Sequence, residues 1–184
     1  MQEIRWHGRG GQGAVTSAKI LADAAFRAGF AGVTSQPSFG AERRGAPITA
    51  STRLSDEPLR VLSQVTEPDI IVVLDESLLT VANATAGLKP GGLAIVNSSK
   101  PAADLAVRDD IRVVTSDVTG AAQAVDLIVS GQPMVSTAIL GAFARATGLI
   151  SMADVEAAIG HVFSGSAAKK NIDAARIAFE CTRV

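Results

Sequence analysis

A chain of 184 residues, 47% of them hydrophobic and with a net charge of -1, can bury one core and roughly 70% of its unfolded surface. It carries no electrostatic footprint for nucleic acid or an anionic membrane. One cysteine, Cys181, excludes a disulfide framework and an iron–sulfur cluster held by this chain alone, and with two histidines, His7 and His161, no metal site is expected.

The chain opens on a short apolar run, Ile4 to His7, then Gly8-Arg9-Gly10-Gly11-Gln12-Gly13, then a helical pattern: strand, glycine loop, helix. No basic and apolar leader precedes that strand, and no apolar run approaches the roughly 20 residues of a bilayer span, so a cytoplasmic location without membrane contact is expected. Glycines in such a loop permit positive φ and let N–H groups approach a ligand, and the helix start adds partial positive charge, which suits phosphate or another anion. Gly8, Gly10 and Gly13 also fit G-x-G-x-x-G, but Ala31 to Pro37 lacks the acid that holds a dinucleotide ribose about 20 residues further on. A nicotinamide site is therefore disfavoured, and an anion site and a tight packing turn both stay open.

The first helix, about Ala14 to Ala28, sets Thr16, Lys19, Asp23 and Arg27 on one face and Ala14, Ala18, Leu21 and Ala25 on the other, with Gly29 as its left-handed stop. Ile20 falls near the polar face, either as an isolated surface residue or as a partner contact. A second strand is expected at Gly32 to Ser35, and a structured loop follows through Pro47 with paired arginines. Ile48 to Leu54 alternates like a half-exposed strand at a sheet edge. Between Asp69 and Asp75 runs Ile70-Ile71-Val72-Val73-Leu74, the signature of a parallel strand covered on both faces and hence of the central strand. A helical segment near Ser77 to Ala86 and a turn at Lys89 to Gly92 lead to a buried strand, Leu93 to Asn97. Ile111 to Thr115 is a further strand after a brief crossover.

Beyond it only helices are expected, at about Ala121 to Val129, Val135 to Thr147, Ala153 to Phe163 and Lys169 to Thr182. Ser151 and Asp154 form a capping-box start for the third of these. The reading is α/β: a Rossmann-like, mainly parallel sheet flanked by helices, with a helical C-terminal extension. One domain is expected over residues 1–184, divided into a sheet portion, 1–117, and a helical portion packed on it, 118–184.

No nucleophile elbow, Cys/His pair or P-loop lysine is present, so no catalytic residue is assigned. Asp75-Glu76 stands at the strand end where α/β ligands bind, although acids answering a helix dipole would look the same. Arg43 and Arg44 suit bidentate phosphate or carboxylate recognition and suit a subunit-interface salt bridge equally well. His7 reads as a hydrogen-bonded structural histidine in preference to a general base.

His7 to Gly13 with the following Ala14-Val15-Thr16-Ser17-Ala18-Lys19, joined to Pro37-Ser38-Phe39-Gly40-Ala41-Glu42-Arg43-Arg44-Gly45, resembles the gamma subunits of the 2-oxoacid:ferredoxin oxidoreductases. Pro68-Asp69 to Asp75 and Lys89-Pro90-Gly91-Gly92 extend the resemblance over nearly the whole chain. Phe39 to Pro47 is similar to the pyruvate and branched-chain types, which tilts the substrate toward pyruvate, with 2-oxoisovalerate as the alternative. A departure is Ser136, where relatives often carry asparagine; Asn171 keeps the later one.

The resemblance implies a complex with alpha, beta and delta companions that hold thiamine diphosphate, magnesium and [4Fe–4S] clusters and pass electrons to ferredoxin. The complex would oxidatively decarboxylate a 2-oxoacid and transfer the acyl group to coenzyme A. This chain would scaffold it and help bind coenzyme A, through Gly8, Arg9, Gly10, Gly11, Gln12, Gly13, Arg43 and Arg44. Ile20 and Phe39 are the apolar residues expected to meet companions. A freestanding dinucleotide-binding regulatory module is the alternative from a different class.

Overall fold

The computed structural model describes residues 1–37, 44–61 and 63–184; Phe39 and Arg43 lie outside the described residues. The first strand, β1 (Gln2–Arg9), is longer than its apolar run, because Ile4 and Trp6 face a helix layer while the side chains of Glu3, Arg5 and His7 use polar partners on the opposite face. After the glycine loop, α1 (Ala14–Arg27) buries Ala14, Ala18, Leu21 and Ala25 as expected. It stops at Gly29 (φ 100°), where Phe30 N–H donates to Ala25 O (3.1 Å) and Gly29 N–H to Phe26 O (3.1 Å), a Schellman ending.

The chain continues through β2 (Gly32–Pro37), β3 (Pro47–Ser55), β4 (Ile70–Val73), a single helical turn α2 (Leu78–Val81), β5 (Leu93–Asn97), a 3₁₀ turn at Ala102–Asp104, and β6 (Arg112–Ser116). Among the described residues six strands form one sheet in the order β2-β3-β1-β4-β5-β6. β1, β4, β5 and β6 run parallel, and β3 is antiparallel to both β1 and β2. β4 shares the centre with β1 and is buried at every residue, as its unbroken apolar run implied. β3 is not the sheet edge: β2 folds back outside it, and Arg53 on its polar face is buried against Glu3 (2.8 Å).

Four further helices follow: α3 (Val118–Ala124), α4 (Val135–Thr147), α5 (Met152–Val162) and α6 (Gly165–Cys181). Between α3 and α4 the chain makes a hairpin, β7 (Ile128–Val129) and β8 (Gln132–Pro133), where helix alone was expected. Its turn residues Ser130 (φ 50°) and Gly131 (φ 76°) are both left-handed, the geometry that matches strand twist in a two-residue hairpin. Ser151 caps α5 through the expected box with Asp154.

Most helices lie on one face of the sheet. There Trp6 stacks on Phe143 (centroids 6.2 Å apart) and donates its indole N–H to Thr52 Oγ1 (3.0 Å). Ile20 is 1% exposed, contrary to the surface position its helical phase suggested, because α1 is packed by α4 and α5 as well as by the sheet. On the other face a smaller apolar cluster around Ile71, Val73, Leu78 and Val96 covers β4 and β5. No helix among the described residues is long and apolar enough to cross a membrane.

Candidate functional site

From β1 the chain passes through α1 to the β2–β3 side of the sheet, and later builds β4, β5 and β6 on the other side. The connections diverge at β1 and β4, and ligands of open α/β sheets bind outside the carboxyl ends of strands at such a point. A cleft of about 840 Å³ opens there. Its one wall is the glycine loop with Arg44 and Gly45, its floor is Leu74 to Glu76 with Asn97 and Thr119, and its other wall is Val129 to Val135.

The glycine loop is held by its own atoms. Arg9 N–H donates to Gln12 Oε1 (2.7 Å), Gln12 N–H returns to Arg9 O (2.9 Å), and Gln12 Nε2 reaches Asp75 Oδ2 (3.3 Å). Gly11 (φ 96°) makes the turn that this closure requires. Gly10 N–H donates to Ala46 O (2.9 Å) and Gly45 N–H to Gly10 O (3.0 Å), so the returning loop is zipped to the first and carries Arg44 to the cleft.

The Arg9 guanidinium is engaged within the chain: Nε donates to Asp75 Oδ2 (2.9 Å), one terminal nitrogen to Gly45 O (3.1 Å) and the other to Ser77 Oγ (2.7 Å). It is a brace, not an unoccupied cation. Burial alone would raise the Asp75 carboxyl, but hydrogen bonds from Ser77 and Arg9 outweigh it and hold the group below the ordinary range. Glu76 is lowered too, by Lys100 first and then Ser98. Asp75 and Glu76 thus each have a cation, and the exposed Arg44 guanidinium, with no hydrogen bond or ion pair to any described residue, leaves the cleft a positive edge.

Of the residues expected here, Arg9, Gly10, Gly11, Gln12 and Arg44 line the cleft. Gly8 and Gly13 do not; they permit close packing. A Cβ on Gly8 would lie 3.0 Å from Ala14 Cβ, and one on Gly13 (φ 84°) would lie 2.7 Å from Ser136 Cβ. Ser17 Oγ donates to Ser136 O (2.7 Å), so the start of α1 rests on the start of α4, and the departure from asparagine falls at this contact. Asn171 holds a separate place between α4 and α6, accepting from Thr137 Oγ1 (2.6 Å).

Sequence reasoning missed Asn97, whose side chain donates to Leu74 O (2.9 Å) and Thr119 Oγ1 (2.9 Å), and the hairpin wall. The dipeptide Ser130-Gly131 after Ile128-Val129 was the available hairpin signal. His7 faces away from the cleft: its Nε2 accepts from Arg5 Nε (3.0 Å), and burial, with Arg5 beside it, lowers its pKa to about 3. It is neutral and hydrogen-bonded through Nε2, not placed as a general base at the cleft. Among the described residues no group of three or more His, Cys, Asp or Glu side chains could hold a metal ion.

The family model for pyruvate ferredoxin/flavodoxin oxidoreductase matches residues 3–181. The chain belongs to this family. The pyruvate/ketoisovalerate oxidoreductases common subunit gamma of Thermococcus litoralis is 50% identical over 187 residues, covering 100% of this chain and 98% of that protein. Among solved structures, the pyruvate oxidoreductase subunit PORC (EC 1.2.7.1) of Thermotoga maritima superposes with a TM-score of 0.83 at 34% identity, covering 99% of this chain and 97% of that one. The 2-oxoglutarate:ferredoxin oxidoreductase of Magnetococcus marinus, solved with 2-oxoglutarate, coenzyme A and succinyl-CoA bound, gives a TM-score of 0.73 at 20% identity, over 96% of this chain and 30% of that one. That last likeness is one of fold alone. These full-length relatives are thus single subunits of multi-subunit oxidoreductases, the Thermococcus litoralis one a gamma subunit.

Proposed function

We propose that this chain is the gamma subunit of a pyruvate:ferredoxin oxidoreductase, and that its cleft holds the phosphate-bearing part of coenzyme A. The observation that carries the reading is Arg44: a cation without a described partner, placed by the zipped loops beside Gly10 and Gly11 at the sheet's switch point. A planar guanidinium forks onto phosphate oxygens, and adjacent glycines let a bulky anion approach the backbone. The Magnetococcus marinus 2-oxoglutarate:ferredoxin oxidoreductase, similar in fold, was solved with coenzyme A bound.

In this reading alpha, beta and delta companions hold thiamine diphosphate, magnesium and [4Fe–4S] clusters, and ferredoxin takes the electrons. The chain scaffolds them and supplies no reacting group. A subunit named as common to pyruvate and ketoisovalerate enzymes in Thermococcus litoralis supports placing the choice of 2-oxoacid in the companions, not in this chain. A freestanding dinucleotide module fits less well, because β3 lies between β1 and β2 and removes the neighbouring strand end from which an acid would read the ribose.

The test is steady-state kinetics of the assembled complex. Arg44→Ala should raise KM for coenzyme A by roughly ten- to a hundredfold, the equivalent of one hydrogen bond to a charged group, with KM for pyruvate unchanged. An unchanged coenzyme A KM in an intact complex would sink the assignment. If the variant complex instead falls apart, Arg44 is an interface strut.

A further inference from the structure

A second cavity, of about 460 Å³, lies on the sheet face opposite α1, and it is lined among others by Arg5 and His7 of β1, Ser51 of β3, Gln36, Gln64 and Asn83. It is separate from the cleft and owes nothing to the function proposed above. No Asp or Glu stands among the described residues that line it. The Arg5 guanidinium, half-buried, donates to Thr66 O (3.2 Å), Ala84 O (3.3 Å), Ala86 O and His7 Nε2 (3.0 Å), all neutral acceptors. A partly buried positive charge thus has no carboxylate among the described residues to answer it, and the more a charge is taken out of water the more it is as a rule paired.

His7 adds a directed donor. Because its Nε2 accepts from Arg5, its proton sits on Nδ1, and that N–H has no hydrogen bond among the described residues although the residue is only 5% exposed. Its protonation is disfavoured by burial and by Arg5, so the ring stays a neutral donor and Arg5 is the single charge.

We infer that this cavity is a binding site for one carboxylate group, received by Arg5 and the Nδ1–H of His7. One positive charge matches one negative charge, whereas a phosphate dianion would leave an excess charge in a cavity whose remaining donors are neutral amides and hydroxyls. The carboxylate is either that of a free small acid or a side chain presented by a companion chain.

The probe is acetate, and the reporter is the imidazole ¹⁵N signal of His7 in the full-length chain at neutral pH and fixed ionic strength, with the exposed His161 as internal control. Acetate should move the His7 Nδ1 signal saturably, chloride and phosphate should not, and His161 should stay still. Ser51 is the cross-strand partner of Arg5, so Ser51→Asp puts a carboxylate into the cavity while leaving the Arg5 contacts to backbone in place. It should weaken acetate at least about tenfold, as should Arg5→Gln if that variant folds. In the assembled complex, a His7 signal already at the acetate-bound position assigns the carboxylate to a companion, and one that still titrates assigns it to a free acid. No saturable response in either form, or one that survives Ser51→Asp, overturns the inference and leaves Arg5 as a brace for three carbonyls.

Discussion

Gly141→Val should lower the melting temperature by roughly 6 to 12 °C, about 3 kcal/mol for a chain of this size. A Cβ at Gly141 would sit 1.8 Å from Ala175 O and 3.1 Å from Phe179 N, so it would meet backbone, which cannot rotate away. The facing stretch of α6 is small for the same reason: Ala174, Ala175 and Ala178 are all fully buried. Any added side chain must push α6 off α4, and α4 carries the Phe143 that stacks on Trp6, so the displacement reaches the main core. Gly160→Ala is the control, since nothing lies within 4 Å of a Cβ there and alanine is the better helix residue. Thermal unfolding of the two variants decides the matter: a Gly141→Val midpoint within two or so degrees of the parent, by the same scaling, would show that the interface can open without loss.

Gly13→Val should cost about 2 to 4 kcal/mol and should disturb the cleft as well as the core. Two terms add. The residue sits at φ 84°, where a β-branched side chain is strained by roughly 1 to 2 kcal/mol, and its Cβ would lie 2.7 Å from Ser136 Cβ. Relief of the second term forces the α1 start away from α4, and α1 is continuous with Gly10 to Gln12. A pair of variants separates the terms: Gly13→Ala with Ser136→Gly should recover the clash and keep the φ penalty, a coupling of about 1 kcal/mol in denaturant unfolding. Additive effects would mean that Gly13 and Ser136 do not press on one another. A Gly13→Val chain as stable as the parent would remove the packing role altogether.

Features decided by local sequence were legible in advance. The unbroken run Ile70 to Leu74 announced a strand covered on both faces; Val135 to Thr147 carried its helical period to both ends; Ser151 and Asp154 named their own cap. What the sequence hid was set by distant partners. Ile20 lies near the polar side of its own helix and is buried, in a helix packed by α4 and α5 from more than a hundred residues away. The alternation of β3 shows one polar face, but not that β2 would shield it by folding back antiparallel.

The site divides in the same way. Gly10, Gly11, Gln12 and Arg44 could be chosen from the motif because loop chemistry is local. Arg9 could not be told from Arg44 in advance. Its charge is answered by Asp75, 66 residues on, whereas Arg44 has no described partner, and nothing in either arginine's neighbours in sequence distinguishes them. The hairpin wall was lost because two strands of two residues each give no periodicity to read.

Hydrogen–deuterium exchange of the assembled complex, with and without coenzyme A, reports on the occupancy of this cleft itself. Coenzyme A binding should slow exchange at Gly10 to Gln12, at Arg44-Gly45 and along Gln132 to Val135, the two walls of the cleft, with no change at Gly141 or in α6. Protection confined to other subunits, with both walls of this cleft exchanging as before, would contradict it.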